Sequence, residues 1–310
     1  MWMPRCDDAR GGRKDSSVTH PLPASPAAAA LVDGFSLEMT GKDVAGLAEA
    51  RDTIPQGTRI NVTFLGNEDL EMRVAAAKAV KEMGFVPVPH ISARRLESRA
   101  QLGEFLSRLQ DVGATEHVFA VGGDPAEPAG PFPDALSVIR SGLLQEHGVR
   151  EVSIAGYPEG HPDIADDLLW RHLDEKALTL AQQGMDAVVL TQFAFDTDPV
   201  TAWIGEVRAR GIDAQIRIGT PGPAGIKRLL GFARRFGIGA NAMIVKKYGF
   251  SLTNLMGTAG PDRFVSDLAE RLAAQDAGDV KLHFYTFGGL LPTSQWAREF
   301  VSAQSSGARR

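Results

Sequence analysis

Acids, imidazoles and amides recur in this chain where short apolar runs end, and each such place is a candidate for chemistry. Glu38 lies in Gly34-Phe35-Ser36-Leu37-Glu38-Met39-Thr40. Strand alternation would put Ser36, Glu38 and Thr40 on one face. A carboxylate there is either a solvated rim charge, pairing with Lys42 or capping the next helix, or an acid kept protonated by its setting and able to donate that proton. Asp124 ends Val121-Gly122-Gly123-Asp124-Pro125, where paired glycines let the backbone approach a flat or phosphorylated ligand. The same residues also make an ordinary turn. Tyr157-Pro158-Glu159-Gly160-His161-Pro162 sets an aromatic, an acid and an imidazole among prolines, a composition that holds a loop rigid over a ligand. Gln192, in Thr191-Gln192-Phe193-Ala194-Phe195-Asp196, carries an amide that donates and accepts together, as a pterin or purine edge requires. Phe193 and Phe195 read first as packing. His90, after Pro87-Val88-Pro89, serves equally as a cofactor contact or a core residue. His90, His117, His161 and His283 lack close ligand spacing and no thiolates accompany them, so no metal site is expected.

These residues need elements to hold them. From Gly34 onward a short apolar run alternates with ten or more residues at helical spacing, which argues for parallel strands joined by helices. Eight strands are expected, near Phe35–Thr40, Arg59–Leu65, Phe85–Ile91, Glu116–Val121, Val152–Ala155, Ala187–Gln192, Asp213–Ile218 and Lys281–Phe287. The helices between them include Asp69–Met83, Ser98–Val112, Asp134–His147, Ile164–Gln183, Thr201–Arg210 and Pro223–Phe236. Gly84, Gly113, Gly148, Gly184, Gly211 and Gly237 are the expected stops. Eight such units predict a (β/α)8 TIM barrel, whose site forms at the C-terminal ends of the strands. Glu38, Thr63, His90, Asp124, Tyr157 with His161, and Gln192 would then share one mouth. Extra material from Ile238 to Gly278 precedes the last strand: Tyr248–Gly260 reads as a loop, Pro261–Ala274 as a helix, and Asn241–Tyr248 as either.

The first 30 residues, with prolines and an alanine run, read as a disordered tail, leaving residues 31–310 for a single barrel domain. A net charge of -5 supplies no basic field for phosphate backbones, which excludes nucleic acid. Cys6 is the single cysteine, so no disulfide framework is available, and a reducing cytoplasm is the expected location. The apolar stretch Ala27 to Val32 is too short for a bilayer, so no membrane partner is expected.

Taken in order, the strand-end segments resemble the methylenetetrahydrofolate reductase family of one-carbon metabolism. Ser36-Leu37-Glu38 is similar to its first-strand Ser-x-Glu, Asn61-Val62-Thr63-Phe64 to its second-strand Val-Thr segment, and Pro89-His90-Ile91 to its Pro-His-Leu. Gly123-Asp124 is similar to its Gly-Asp. Tyr157-Pro158-Glu159-x-His161-Pro162 and Thr191-Gln192-Phe193-x-Phe195-Asp196 are the most specific matches, and His283-Phe284-Tyr285-Thr286 resembles the closing strand. The resemblance implies an oxidoreductase that converts 5,10-methylenetetrahydrofolate to 5-methyltetrahydrofolate, or the reverse, by hydride transfer from NADH or NADPH through FAD. It implies Glu38 as proton donor to folate N10, and Asp124 between folate and flavin as the second catalytic residue. Gln192, Asp124, Phe195 and Phe287 would bind tetrahydrofolate derivatives, and the chain would be a homo-oligomer. Thr63, His90, Gly123, Asp124, Ala155, Tyr157, His161 and Lys176 would bind FAD. Gly122 stands where the family carries arginine before Gly-Asp. That motivates an alternative in which NADH transfers hydride directly without FAD, and a non-catalytic folate- or partner-binding barrel is the alternative of another class.

Overall fold

The computed structural model describes residues 25–66, 68–235 and 258–307. Eight parallel strands close into a barrel: β1 (Ser36–Met39), β2 (Arg59–Val62), β3 (Val86–Ser92), β4 (His117–Val121), β5 (Glu151–Gly156), β6 (Asp186–Phe193), β7 (Gln215–Pro221) and β10 (Val280–Tyr285). β10 inserts between β7 and β1, so the last strand seals the barrel against the first, with Ser36 opposite His283. A small antiparallel pair, β8 (Ala224–Gly225) and β9 (Thr258–Ala259), lies outside the barrel sheet.

The outer layer comprises α1 (Pro26–Val32), α2 (Val44–Ala50), α3 (Leu70–Glu82), α4 (Arg99–Asp111), α5 (Ala135–Ile139), α6 (Leu143–Glu146), α7 (Asp166–Gln182), α8 (Thr197–Ala209), α9 (Ile226–Arg235), α10 (Asp262–Leu272) and α11 (Leu290–Gly307). Their apolar faces meet the outward residues of the strands in one continuous core that includes Leu37, Ile60, Ile91, Val118, Ile154 and Phe284. A separate small cluster, Val88, Phe119 and Leu190, fills the barrel interior. Burying one such side chain is worth about 1.5–3 kcal/mol. The interior cluster therefore plugs the barrel and separates a polar floor, at the strand N-termini, from a polar mouth.

Five sequence expectations change. The tail ends earlier than residue 30, because Pro26–Val32 is a helix that buries Ala28, Leu31 and Val32. Its Ser25 hydroxyl caps the Ala28 amide, and proline sits where a first turn accepts it. The expected helix from Asp134 to His147 is two helices, α5 and α6, broken at Gly142, which takes a left-handed φ of 79°. β2 stops at Val62 rather than Leu65, and β7 runs on to Pro221. Part of the loop expected over Tyr248–Gly260 is β9. The alternatives for Asn241–Tyr248, the Gly237 stop and the first 24 residues lie outside the described residues. The predicted stops Gly84, Gly113, Gly148, Gly184 and Gly211 all have positive φ. Among the described residues no helix is long and apolar enough to cross a membrane.

Candidate active site

β1 is only four residues long, and its two outward side chains, Leu37 and Met39, are buried in the surrounding core. That burial fixes which way the strand faces, so Ser36 and Glu38 turn inward. The carbonyl of Glu38 accepts a hydrogen bond from the Thr286 hydroxyl at 2.5 Å, which ties β1 to the end of β10. The Glu38 side chain is 19% exposed. Its Oε2 lies 3.5 Å from His283 Nε2 and 3.9 Å from His90 Nε2, so β1, β3 and β10 each supply one group.

Both imidazoles are buried. Burial pushes His90 down to about 4, against the pull of Glu38 and with some help from His283. Burial likewise lowers His283, although Glu38 opposes it. Both rings are therefore neutral near pH 7, and each presents Nε2 either as a donor or as an acceptor. The far side of His283 decides which. Its Nδ1 is 2.9 Å from the Ser36 hydroxyl, and that hydroxyl also lies 3.4 Å from the Leu282 carbonyl. When Ser36 donates to Nδ1, the His283 Nε2–H faces Glu38 and suits a carboxylate. When Ser36 donates to the carbonyl instead, Nδ1–H donates to Ser36 and the bare Nε2 suits a protonated carboxyl. The Ser36–His283 pair thus accommodates both protonation states of Glu38 without moving a heavy atom. Asn61 Nδ2 sits 3.4 Å from His90 Nε2, holding the second ring from β2.

Tyr285 adds an apolar wall. It is partly buried, its hydroxyl donates to the Thr191 carbonyl at 3.1 Å, and burial, Glu38 and Tyr157 together raise its phenol well above the usual range. Its ring meets His283 edge-on at 5.0 Å and Phe193 at 5.3 Å. Phe195 and Phe287 also pack on Phe193, and Phe287 lies face to face with Phe232 at 3.9 Å. Phe195 is 3% exposed, so its first role is packing, while half-buried Phe287 remains on the partly open side. Gln192 accepts from the Phe193 amide at 3.0 Å, and its NH2 forms no hydrogen bond among the described residues.

The other predicted residues are distributed around the rim. Thr63 follows β2, with its hydroxyl oxygen buried and unpartnered among the described residues. Gly123, after β4, has φ 94°, and a Cβ there would meet Ser92 Oγ at 2.2 Å. Neighbouring Asp124 is 74% exposed and accepts from Arg95 Nε at 3.0 Å rather than approaching Glu38. Ala155 belongs to the inner wall of β5, and Tyr157 follows it, edge-on to His161 at 5.4 Å. His161 Nδ1 accepts from the Asp163 amide. Lys176 does not join this group. It is buried in the middle of α7, in the outer layer, where burial pulls it down to about 8 and Asp134 is the opposing charge.

His283, Ser36 and Tyr285 are the residues that local reading of the sequence did not single out for a role. Their signal is register: in a closed barrel the first and last strands are neighbours, so alternate residues of His283-Phe284-Tyr285 share the interior with Ser36 and Glu38.

Comparison with known proteins bears on the same region. The chain is 29% identical over 180 residues to the 5,10-methylenetetrahydrofolate reductase of Pectobacterium carotovorum subsp. carotovorum, covering 56% of this chain and 57% of that one. It is 26% identical over 199 residues to methylenetetrahydrofolate reductase (NADH) 1 of Arabidopsis thaliana, covering 55% of this chain and 31% of the plant protein. The matches thus span little more than half, or about a third, of these relatives. Among solved structures, an uncharacterized Clostridium thermocellum protein described as binding two copies of 5-methyl-5,6,7,8-tetrahydrofolic acid aligns with a TM-score of 0.59 at 11% identity. That alignment covers 89% of this chain and 98% of the other, and it supports the fold. The family model for methylenetetrahydrofolate reductase matches residues 39–240, about two thirds of the chain and most of the strands that build the mouth, and the chain belongs to that family.

Proposed function

We propose that this chain interconverts 5,10-methylenetetrahydrofolate and 5-methyltetrahydrofolate, with Glu38 as the acid that protonates N10 of the folate. The observation that carries this reading is the setting of Glu38: one carboxyl group, partly open to the mouth, with two neutral imidazoles behind it. Opening the methylene bridge requires a proton at N10, which breaks the carbon–N10 bond; the methylene carbon, left as an iminium on N5, then accepts hydride and becomes the N5-methyl group. A carboxyl group at the mouth is suited to that proton transfer, which is worth about 10²–10⁴ in rate. With Oε2 turned toward His283 and His90, the other carboxyl oxygen is left for the substrate. The NH2 of Gln192 provides a donor for the pterin, and Phe287 an aromatic face beside it.

The family implies a flavin, and the rim offers features that fit one. Thr63 carries a buried hydroxyl with no partner among the described residues, and the left-handed Gly123 leaves the backbone after β4 without a side chain. Thr63, Gly123, Ala155 and Tyr157 would hold the flavin, with Asp124 at its edge; once bound and reduced it supplies hydride. His90 faces Glu38 and supports the acid. Lys176 lies on an outer helix. Arg95 brings a cation to Asp124 from the β3 side of the rim.

A second reading has NADH deliver hydride directly, without FAD. It is favoured by Gly122, which stands in place of the family's arginine and whose Cβ position would meet nothing within 4 Å. One preparation distinguishes the two. A yellow protein whose NADH oxidation depends on both methylenetetrahydrofolate and FAD supports the first. A colourless protein with full folate-dependent NADH oxidation supports the second. Absence of folate-dependent oxidation with either NADH or NADPH, with FAD supplied, would contradict both.

A further inference from the structure

The opposite end of the barrel carries charge that the folate chemistry does not use. Arg59, His117 and Glu151 begin β2, β4 and β5, and Arg217 lies low on β7. Glu151 is committed to Arg59, whose guanidinium it grips through both carboxylate oxygens. His117 is neutral near pH 7, since burial and Arg59 push it down to about 4. Among the described residues Arg217 has no carboxylate in ion-pair range. It is 7% exposed, its NH1 donates to the Gly34 carbonyl at 3.0 Å, and its Nε has no hydrogen-bond partner among the described residues. Asp279, the carboxylate that favours its charge, accepts instead from Gln215 at 2.6 Å. Burial and the like charge of Arg59 bring Arg217 down to about 9.

A buried guanidinium without a counter-charge is costly. Arg217 faces a cavity of about 590 Å3 at the barrel floor. Phe35, Val86 and Ala297 give that cavity apolar walls, Gln56 a neutral polar group, and exposed Arg298 a second cation at the rim. Lys281 runs against Gly34 at the same end. The acid on the lining is Asp33, which is exposed and makes no ion pair among the described residues. Cations with apolar walls select a molecule that carries an oxyanion on a hydrophobic body.

We propose that the barrel floor is a second binding site, for a small organic phosphate or carboxylate, with Arg217 as its main charge partner and Arg298 as its gatepost. The interior cluster of Val88, Phe119 and Leu190 separates it from the mouth, so its ligand does not compete with folate. Phenyl phosphate and benzoate are suitable probes, one for each anion source. Titrated calorimetrically into the full chain at constant ionic strength, at least one of them binds where chloride alone gives no heat. R298Q, at an exposed position, weakens that binding about threefold, and R217M weakens it about tenfold or more. No binding of either probe overturns the proposal. So does binding that R298Q and R217M leave unchanged, which would locate the anion at the mouth. If R217M does not fold, R298Q decides.

Discussion

Glu38 Oε2 faces two rings, and the proton transfer proposed for it depends on what those rings can do with their own protons. His90 is held by Asn61 and His283 by Ser36, so neither is free to turn away. Ser36 is the interesting partner, because its hydroxyl has both Nδ1 and the Leu282 carbonyl in reach and lets His283 change tautomer as Glu38 gains or loses its proton. Ser36→Ala removes that adjustment while leaving the carboxyl group in place. It is expected to lower kcat about three- to tenfold, to leave KM for folate nearly unchanged, and to alter the pH dependence of kcat. Steady-state kinetics across pH check this; an unchanged pH profile would remove Ser36 from the account. Glu38 itself was legible as an inward strand-end acid. His283 was not, because 245 residues separate it from Glu38 in the sequence and only barrel closure makes them neighbours.

At the scale of elements, the strands were readable because parallel barrel strands are buried on both sides and stand out as apolar runs. Their ends were less so: β2 stops at Val62 because the chain then turns out to bring Thr63 and Phe64 to the rim, whereas β7 continues because its last residues pair with β10 up to Tyr285. The alanine run before Gly34 looks like low-complexity sequence, yet alanine is the best helix former, and Ser25 with Pro26 supplies a start signal. α1 packs on α10 and α11 beside the junction where β10 meets β1. Leu31→Ala, at a site 6% exposed, is expected to cost about 2–4 kcal/mol, read from urea unfolding. A loss below about 0.5 kcal/mol would show that α1 is not part of the folded core.

For the molecule as a whole, neutral histidines at both ends of the barrel, His90 and His283 buried and His117 half-buried, couple stability to pH. His90 and His117 each fall from an ordinary 6.5 to about 4 on folding, and His283 shifts in the same direction. The unfolded chain therefore binds more protons between these values. Stability is complete above about pH 6.5 and declines as the pH falls toward 4, by about 1.4 kcal/mol per pH unit for each such ring. Denaturant midpoints measured at about pH 7.5 and pH 5 should differ accordingly; equal midpoints would contradict the neutral state of these rings. The same closure that buries His283 brings it to Glu38, so the proposed proton donor and the barrel's architecture share one junction. The most direct test of the account is folate-dependent NAD(P)H oxidation by Glu38→Gln, measured alongside folate binding. The variant is expected to fold and bind folate while kcat falls about 10²- to 10⁴-fold; turnover at the wild-type rate would contradict a proton-donor role for Glu38.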